Sequence, residues 1–349
     1  MRGIGPQTKH LNYMIRLESH AGIADELQSW SDENLLRLLN DAQIQEVGYG
    51  TVSFWSGSIN VFVKLIPLTA LEMQVQNYQS TANFFQLPTY YQYRIGSCGF
   101  GAWREIKAHL LANTWVLSSQ CTQFPLLHHW RVLPIVHTSY DDRISMKLWG
   151  NCEAIHRRIS SITEATHSVV MFLEHCPFTL NQWIREQLLH CSDPIAIVTR
   201  LESTLTEILS FINSQGLIHM DAHFDNILTN GKQLFLTDYG LVLSNQFQLD
   251  SDERQFFDKH QNFDTCTALN SLVYTIVNHY DSREDWRQAL QELTNVGHDS
   301  VEAVPVAICS YLRRRVPLVM RMGVFYRQLM KDLTTPYPTV DLQGILNSL

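Results

Sequence analysis

Residues 216–240 read GLIHMDAHFDNILTNGKQLFLTDYG, and the reading of the whole chain turns on them. Leu217 and Ile218 lead into His219, Met220 and Asp221, with Asn226 following on the same polar stretch. Ile227 and Leu228 are a short apolar run before Asn230-Gly231, a dipeptide that marks a tight hairpin because both residues tolerate positive φ. The returning strand, Leu234 to Thr237, ends in Asp238-Tyr239-Gly240. One carboxylate therefore sits on a loop, while an amide and a second carboxylate stand together at the open end of a hairpin. Two hard oxygen donors held this way suit Mg2+, which takes few protein oxygens and completes its shell with phosphate and water.

The 349 residues are enough for two parts with substantial cores. With 45% apolar and 17% charged residues the composition is that of a globular protein, not a disordered one. A net charge of -8 excludes a global basic footprint for nucleic acid or anionic membrane. The 7 cysteines, at 98, 121, 152, 176, 191, 266 and 309, never fall in C-x-x-C spacing, so they read as free thiols of a reducing compartment. No apolar run approaches a membrane span and residues 1–30 lack the apolar core of a signal peptide, which leads us to expect a cytoplasmic site of action. The 15 histidines show no H-E-x-x-H spacing, which argues against a zinc site.

Upstream of the hairpin the chain is rich in strand signals. Residues 1–30 read as an N-terminal extension, and Ser31 opens a short helix carrying Leu35, Leu36, Leu38 and Leu39. Ile44 to Val47, Thr51 to Trp55 and Ile59 to Ile66 read as strands, the first two joined at Gly48-Tyr49-Gly50. The third carries Lys64 inside an apolar run, a costly position unless the charge is used. Residues 68–98 are hard to place: Leu68 to Gln79 suggests a short helix, and Phe84, Phe85, Tyr90, Tyr91 and Tyr93 read as core before pocket. Trp103, Ile106 and Leu110 mark one face of a helix that carries Glu105 and His109 on a neighbouring face. A strand and turn follow over 124–137, a polar excursion over 141–164, a buried strand over 168–174, and a helix to about His190. Asp193-Pro194 starts a helix that Gly216 ends. The chain then reads as irregular to about Asn262 and as helices over 264–280, 283–295 and 301–333.

The set His219, Asp221, Asn226, Asp238 and Gly240 resembles the catalytic and metal-binding loops of the protein kinase-like superfamily, with Tyr239 where Phe is usual. The segments VFVKLIPLT, GFGAWRE, HMDAHFDNIL and TDYGL together are similar to bacterial proteins described as protein kinase family proteins, over about residues 31–280. The resemblance implies an α+β, bilobal fold: an extension at 1–30, a strand-rich lobe with an insertion at 31–173, and a helical lobe at 174–349. It implies ATP and Mg2+ as partners. Asp221 would be the base toward a hydroxyl acceptor, Asn226 and Asp238 the metal ligands, and Lys64 the group on the ATP phosphates. Gly48, Tyr49 and Gly50 would approach the phosphates, and Glu174, His175 and Cys176 would be the hinge beside adenine. Two glutamates can answer Lys64, namely Glu72, close in sequence, and Glu105, on the better helix; Glu105 is preferred. His219 reads as structural, and Asp264 would be the helix-anchoring aspartate of the helical lobe, also a structural role.

The acceptor is less clear from these residues. Protein serine or threonine comes first in this reading, a small hydroxyl compound second, and a nucleotide-binding scaffold or an AMP-transferring enzyme third. His223, in H-x-D-x-H-x-x-N, is similar to the aminoglycoside and choline kinase-like branch, where many serine/threonine kinases carry lysine. No A-P-E motif follows Gly240, so control by phosphorylation of an activation segment is not expected. Arg313, Arg314 and Arg315, with Arg321, Arg327 and Lys331, are either a solvated helix face or a dock for an anionic partner.

Overall fold

A computed structural model describes residues 6–41, 51–56, 59–136, 148–150, 152–281, 283–294 and 304–349. Its first half is built on a four-stranded antiparallel sheet, β1 (Thr51–Ser56), β2 (Ile59–Leu68), β3 (Leu127–Leu133) and β4 (His167–Glu174), in the order β1-β2-β4-β3. Side chains alternate across a strand, so β2 divides its residues between two faces. Val61, Val63 and Leu65, with Val170 and Phe172 of β4, meet Ile23 and Leu27 of helix α1 (Pro6–Ser29) and Leu35 and Leu39 of helix α2 (Asp32–Asp41). Phe62 and Ile66, with Val169, Met171 and Leu173 of β4, meet Ala102, Trp103 and Ile106 of helix α3 (Ala102–Leu117). Lys64 falls in the second set by parity, and that is how it comes to face α3. Both faces of the sheet are covered, which accounts for the nearly unbroken apolar runs of β2 and β4.

The N-terminal segment is therefore not an appendage. Helix α1 lies across β3, and its Arg16 binds the Glu174 carboxylate through two hydrogen bonds, 2.8 and 2.7 Å long. The same guanidinium donates to the carbonyls of Thr122 and Phe124, both at 2.9 Å.

Residues 68–98 do not form the short helix suggested for them. Glu72 takes hydrogen bonds from the backbone N–H and the hydroxyl of Thr69, a local turn that competes with helix. Short 3-10 turns follow at Val75–Asn77 and Thr89–Gln92, and Tyr91 and Tyr93 are buried. The described part of the polar excursion contains helix α4 (Glu153–Thr163), whose Ile155, Ile159 and Ile162 are buried at helical spacing.

The helical half follows the sequence pattern closely. It comprises α5 (Leu180–His190), α6 (Pro194–Ser214), α7 (Ser251–Lys259), α8 (Phe263–Tyr280), α9 (Trp286–Thr294), α10 (Val306–Leu329) and α11 (Thr339–Leu346). Asp193 caps α6 by accepting from the Ala196 N–H, and the expected apolar face (Leu201, Leu205, Ile208, Leu209, Ile212) is buried. Helix α7 lies within the stretch read as irregular. Its signal is the capping box in which Asp250 and Glu253 satisfy each other's backbone N–H groups. Short strands β5 (Phe178–Thr179), β7 (Ile227–Thr229) and β8 (Leu234–Leu236) form one small antiparallel sheet, while β6 (Leu217–Ile218) pairs with β9 (Leu243–Ser244). The fold class is α+β with small antiparallel sheets. No helix among the described residues is long and apolar enough to cross a membrane.

The basic stretch of α10 is not one surface. Arg315 is buried and bonded to Glu202 at 2.6 Å, Arg321 pairs with Asp341 at 2.8 Å, and the exposed Arg313 donates to the Thr294 carbonyl. Helical rotation separates arginines that are neighbours in sequence, so Arg313 and Arg314 are exposed while Arg315 is buried.

Candidate active site

The hairpin that opened the sequence reading pairs Ile227 with Leu236 and Thr229 with Leu234. Its loop spans Asn230 to Gln233, longer than the two-residue turn that Asn-Gly suggests. Asn230 Oδ1 accepts from the N–H groups of Lys232 and Gln233, and Gly231 takes φ +80°. One more backbone bond, Thr237 N–H to the Asn226 carbonyl at 3.0 Å, carries the pairing to the open end. Asn226 and Asp238 are thereby brought level.

The loop before the hairpin is held from below. Asp264, buried in the first turn of α8, accepts from the N–H of His219 at 2.5 Å and of Met220 at 2.8 Å. These bonds fix Met220 at φ +64°, a left-handed conformation unusual for a residue with a Cβ. His219 is fully buried; its Nδ1 accepts from the Asp221 N–H, so its Nε2 carries the hydrogen that reaches the Thr237 carbonyl at 2.8 Å. Burial lowers its pKa to about 4, and the ring is neutral.

Lys64 reaches this loop from β2. Its Nζ stands 2.5 Å from Glu105 Oε1 and 2.7 Å from Asp238 Oδ1. Burial alone would lower the lysine pKa, but the two carboxylates outweigh it and raise it. Glu105 is deeper still, and burial raises its carboxyl against the pull of Lys64. With the lysine at contact distance and shared by two carboxylates, the charged pair is the state this geometry supports. Glu72, the other candidate, is buried elsewhere: it binds Arg158 at 2.9 Å and caps the N-terminus of α3 by accepting from the Ala102 N–H.

Asp221, on the loop before the hairpin, is partly buried, with 19% of its side chain exposed. Asn226 Nδ2 donates to its Oδ2 at 3.0 Å, and Asn226 Oδ1 accepts no hydrogen bond among the described residues. Burial raises the Asp221 pKa to about 7; Arg94 opposes the shift and the negative Asp238 adds to it. Asp238 moves the other way, to about 2, because the Lys64 charge overcomes the cost of burial. It is packed among charged groups yet keeps 46% of its side-chain surface open, with one oxygen on Lys64. An ionised carboxylate and an amide oxygen at one hairpin end fit Mg2+, which is content with few protein ligands. Among the described residues no three His, Cys, Asp or Glu side chains cluster as a complete metal cage.

No family model matches the chain, and no curated protein does. Among solved structures it is similar to WaaP in complex with acyl carrier protein, at 11% identity and a TM-score of 0.38, over 85% of this chain and 92% of that one. A likeness of that size carries no argument about chemistry.

The remaining expected residues are spread unevenly. Gly48, Tyr49 and Gly50 lie outside the described residues. Glu174 spends its N–H on the Leu126 carbonyl and its carboxylate on Arg16 and the Leu126 N–H, so its side chain is taken up by the fold. His175 and Cys176 follow it directly at the end of β4. Sequence reasoning missed Arg94, 2.9 Å from Asp221, because nothing around it repeats a pattern. It also missed the backbone approach of Gly99 to Gly240. A Cβ on Gly99 would lie 2.3 Å from the Gly240 carbonyl oxygen, and Gly99 holds φ +75°. The signal was the GFG triplet before α3. Gly99→Ala is therefore expected to cost about 1–3 kcal/mol, read as a fall in the urea midpoint, and to displace the Asp238 loop.

Buried histidines give the fold an acid limit. Burial first of all lowers His109, His128 and His260 to about 3, alongside His219 at about 4. The unfolded chain protonates these rings below about pH 6.5 while the folded chain refuses, so stability is lost as pH falls from there toward the folded values. Asp221 at about 7 and Asp264 at about 6 oppose this, since the folded chain keeps protons there that the unfolded chain releases. His223, also lowered to about 4, adds a fifth ring, so the histidines outnumber the two aspartates and stability falls with pH near 5 by about 1.4 kcal/mol per pH unit for each uncompensated ring. Urea unfolding at pH 7, 6 and 5 measures it, and a flat series would show that the rings are reached by solvent.

Proposed function

We propose that this chain is an Mg2+·ATP-dependent phosphotransferase of bilobal kinase-like fold, acting on the hydroxyl of a small molecule. The observation that carries it is one lysine held between Glu105 and Asp238, with Asp221 and Asn226 hydrogen-bonded beside it at the end of the same hairpin. Phosphoryl transfer needs positioned charge more than covalent help, and that is what these side chains supply. Lys64 would bind the ATP phosphates, with Glu105 holding its ammonium in place. Asn226 Oδ1 and Asp238 would hold Mg2+, which when bound neutralises phosphate charge. Asp221 would take the proton of the acceptor hydroxyl as the new O–P bond forms and the bond from Pγ to the β-phosphate oxygen breaks, releasing ADP with that electron pair.

The connection after Gly240 favours a small acceptor over the protein serine or threonine that the sequence put first. Helix α7 begins at Ser251, and between them Leu241, Val242, Leu243, Ser244, Phe247 and Leu249 are buried. A stretch so short and so inward-facing offers little backbone for a polypeptide to lie along.

The test uses ATP labelled at the γ or the α position, with the purified chain, its Asp221→Ala variant and a metabolite extract freed of protein. Transfer of γ-label to small hydroxyl compounds, lost in Asp221→Ala, is the expected result. Labelling of added protein by γ-phosphate would restore the protein-kinase reading, and α-label on protein would mean AMP transfer. Bound nucleotide with no transfer to any acceptor would leave a scaffold.

A further inference from the structure

The proposed chemistry leaves Arg94 without a task. It comes from the segment between β2 and α3, and its Nε lies 2.9 Å from Asp221 Oδ1 with 41% of the side chain exposed. The approach is close but poorly aligned: Asp221 Oδ1 receives no hydrogen bond of good geometry, and the terminal nitrogens of Arg94 form none among the described residues. The guanidinium thus pairs with the carboxylate through Nε alone and keeps its terminal donors open.

A cation is needed there. Negative charge spreads over the oxygens of the phosphoryl group in flight, and a fixed positive group beside them lowers the barrier. Lys64 is already shared between Glu105 and Asp238. The position two after Asp221, where many kinases carry lysine, is His223. Its Nδ1 accepts the Asp225 N–H at 3.2 Å and so bears no hydrogen, although the Asp225 carboxylate is 3.5 Å from the same atom. The ring is a neutral imidazole with one N–H, on Nε2, 3.6 Å from Asp221 Oδ1. It brings a donor and no charge.

We infer that Arg94 supplies the missing charge, pairing with the γ-phosphoryl oxygens of bound ATP on the side that faces Asp221. The planar guanidinium fork suits a phosphoryl group, and its terminal nitrogens are open for it. Arg94 is then a catalytic residue contributed by an insertion and not by the catalytic loop. This rests on the Mg2+·ATP reading above, and its test needs no knowledge of the acceptor.

Calorimetric binding of Mg2+·AMPPNP and Mg2+·ADP to the full chain is compared between wild type, Arg94→Gln and Arg94→Lys, together with ATP turnover. Melting curves establish that the variants are folded. Arg94→Gln is expected to lose about tenfold or more in affinity for AMPPNP, to keep its affinity for ADP, and to turn over about a hundredfold slower. Arg94→Lys recovers part of both, since it keeps the charge and loses the fork. Unchanged AMPPNP affinity and turnover in Arg94→Gln overturns the inference. So does faster turnover, which would make Arg94 a plug on Asp221, or an equal loss for both nucleotides, which would make its role structural. If wild type binds neither nucleotide, the phosphotransferase reading itself fails, and this is seen before any variant is compared.

Discussion

Asp238→Ala is expected to lower Mg2+-dependent ATP turnover about a thousandfold while leaving the fold intact. One oxygen of the side chain is on Lys64 at 2.7 Å, and nearly half of its surface is open, where it would be available to Mg2+. Alanine removes the charged ligand proposed for the metal and leaves Lys64 with Glu105 alone. A moderate loss of stability goes with it, because the Lys64 pair that holds the Asp238 carboxyl below its ordinary pKa is removed, while relief of like-charge repulsion offsets part of that loss. Asp238 repels the nearby Asp221, whose pKa it raises, and it holds a left-handed φ of +64° that alanine tolerates at a cost of about 1 kcal/mol. Turnover measured against Mg2+ concentration makes the distinction sharp. Asp238→Asn, which keeps an oxygen and loses the charge, should fall between the two and need more metal. Wild-type turnover in Asp238→Ala at ordinary Mg2+ would remove this residue from the metal site.

Glu72→Ala should show the opposite profile, a large loss of stability from a residue remote from the chemistry. Glu72 is 1% exposed and receives four hydrogen bonds, from the Thr69 N–H and hydroxyl, the Ala102 N–H and Arg158. Arg158 is itself 2% exposed, so alanine would strand a buried guanidinium, an effect that typically costs about 3–5 kcal/mol. The site would feel it indirectly. Ala102 opens α3, and Glu105 lies in the same first turn, so loosening that end moves the partner of Lys64. Urea unfolding reads the first effect, and the KM for ATP reads the second. Glu72→Gln should cost less, because its carbonyl oxygen can still accept from Ala102. A loss below about 1 kcal/mol in Glu72→Ala would mean that water reaches Arg158.

Local signals carried much of the reading. Strand parity and helical spacing are written in neighbouring residues, so β2, β4, α3, α6 and α8 were legible, as was the hairpin; Asp264 was read as structural, but not its bonds to the His219 and Met220 N–H groups. The contacts that organise the site around them join residues far apart in sequence: Arg16 with Glu174, Glu72 with Arg158, Arg94 with Asp221, and Arg104 with Glu253 at 2.6 Å. An ion pair of this kind leaves no periodic trace in either segment. Glu72 illustrates the difficulty, since its closeness to Lys64 in sequence made it a candidate while folding sends it to another partner. Helices α4 and α7 were missed for a different reason. Their polar residues masked a helical stripe in one and a capping box in the other.

Tyr239 has a consequence for chemical inhibition. Its ring is 1% exposed, lies edge-on to His109 at 4.6 Å between centroids, and its hydroxyl donates to the Leu236 carbonyl at 2.9 Å. A compound that must turn this ring outward to create room behind the loop would break that bond and open a void against α3, losing affinity to the rearrangement before gaining any contact. If the phosphotransferase reading holds, lead compounds belong beside Lys64, Asp221 and Asp238, where they would compete with nucleotide in the loop conformation that already exists.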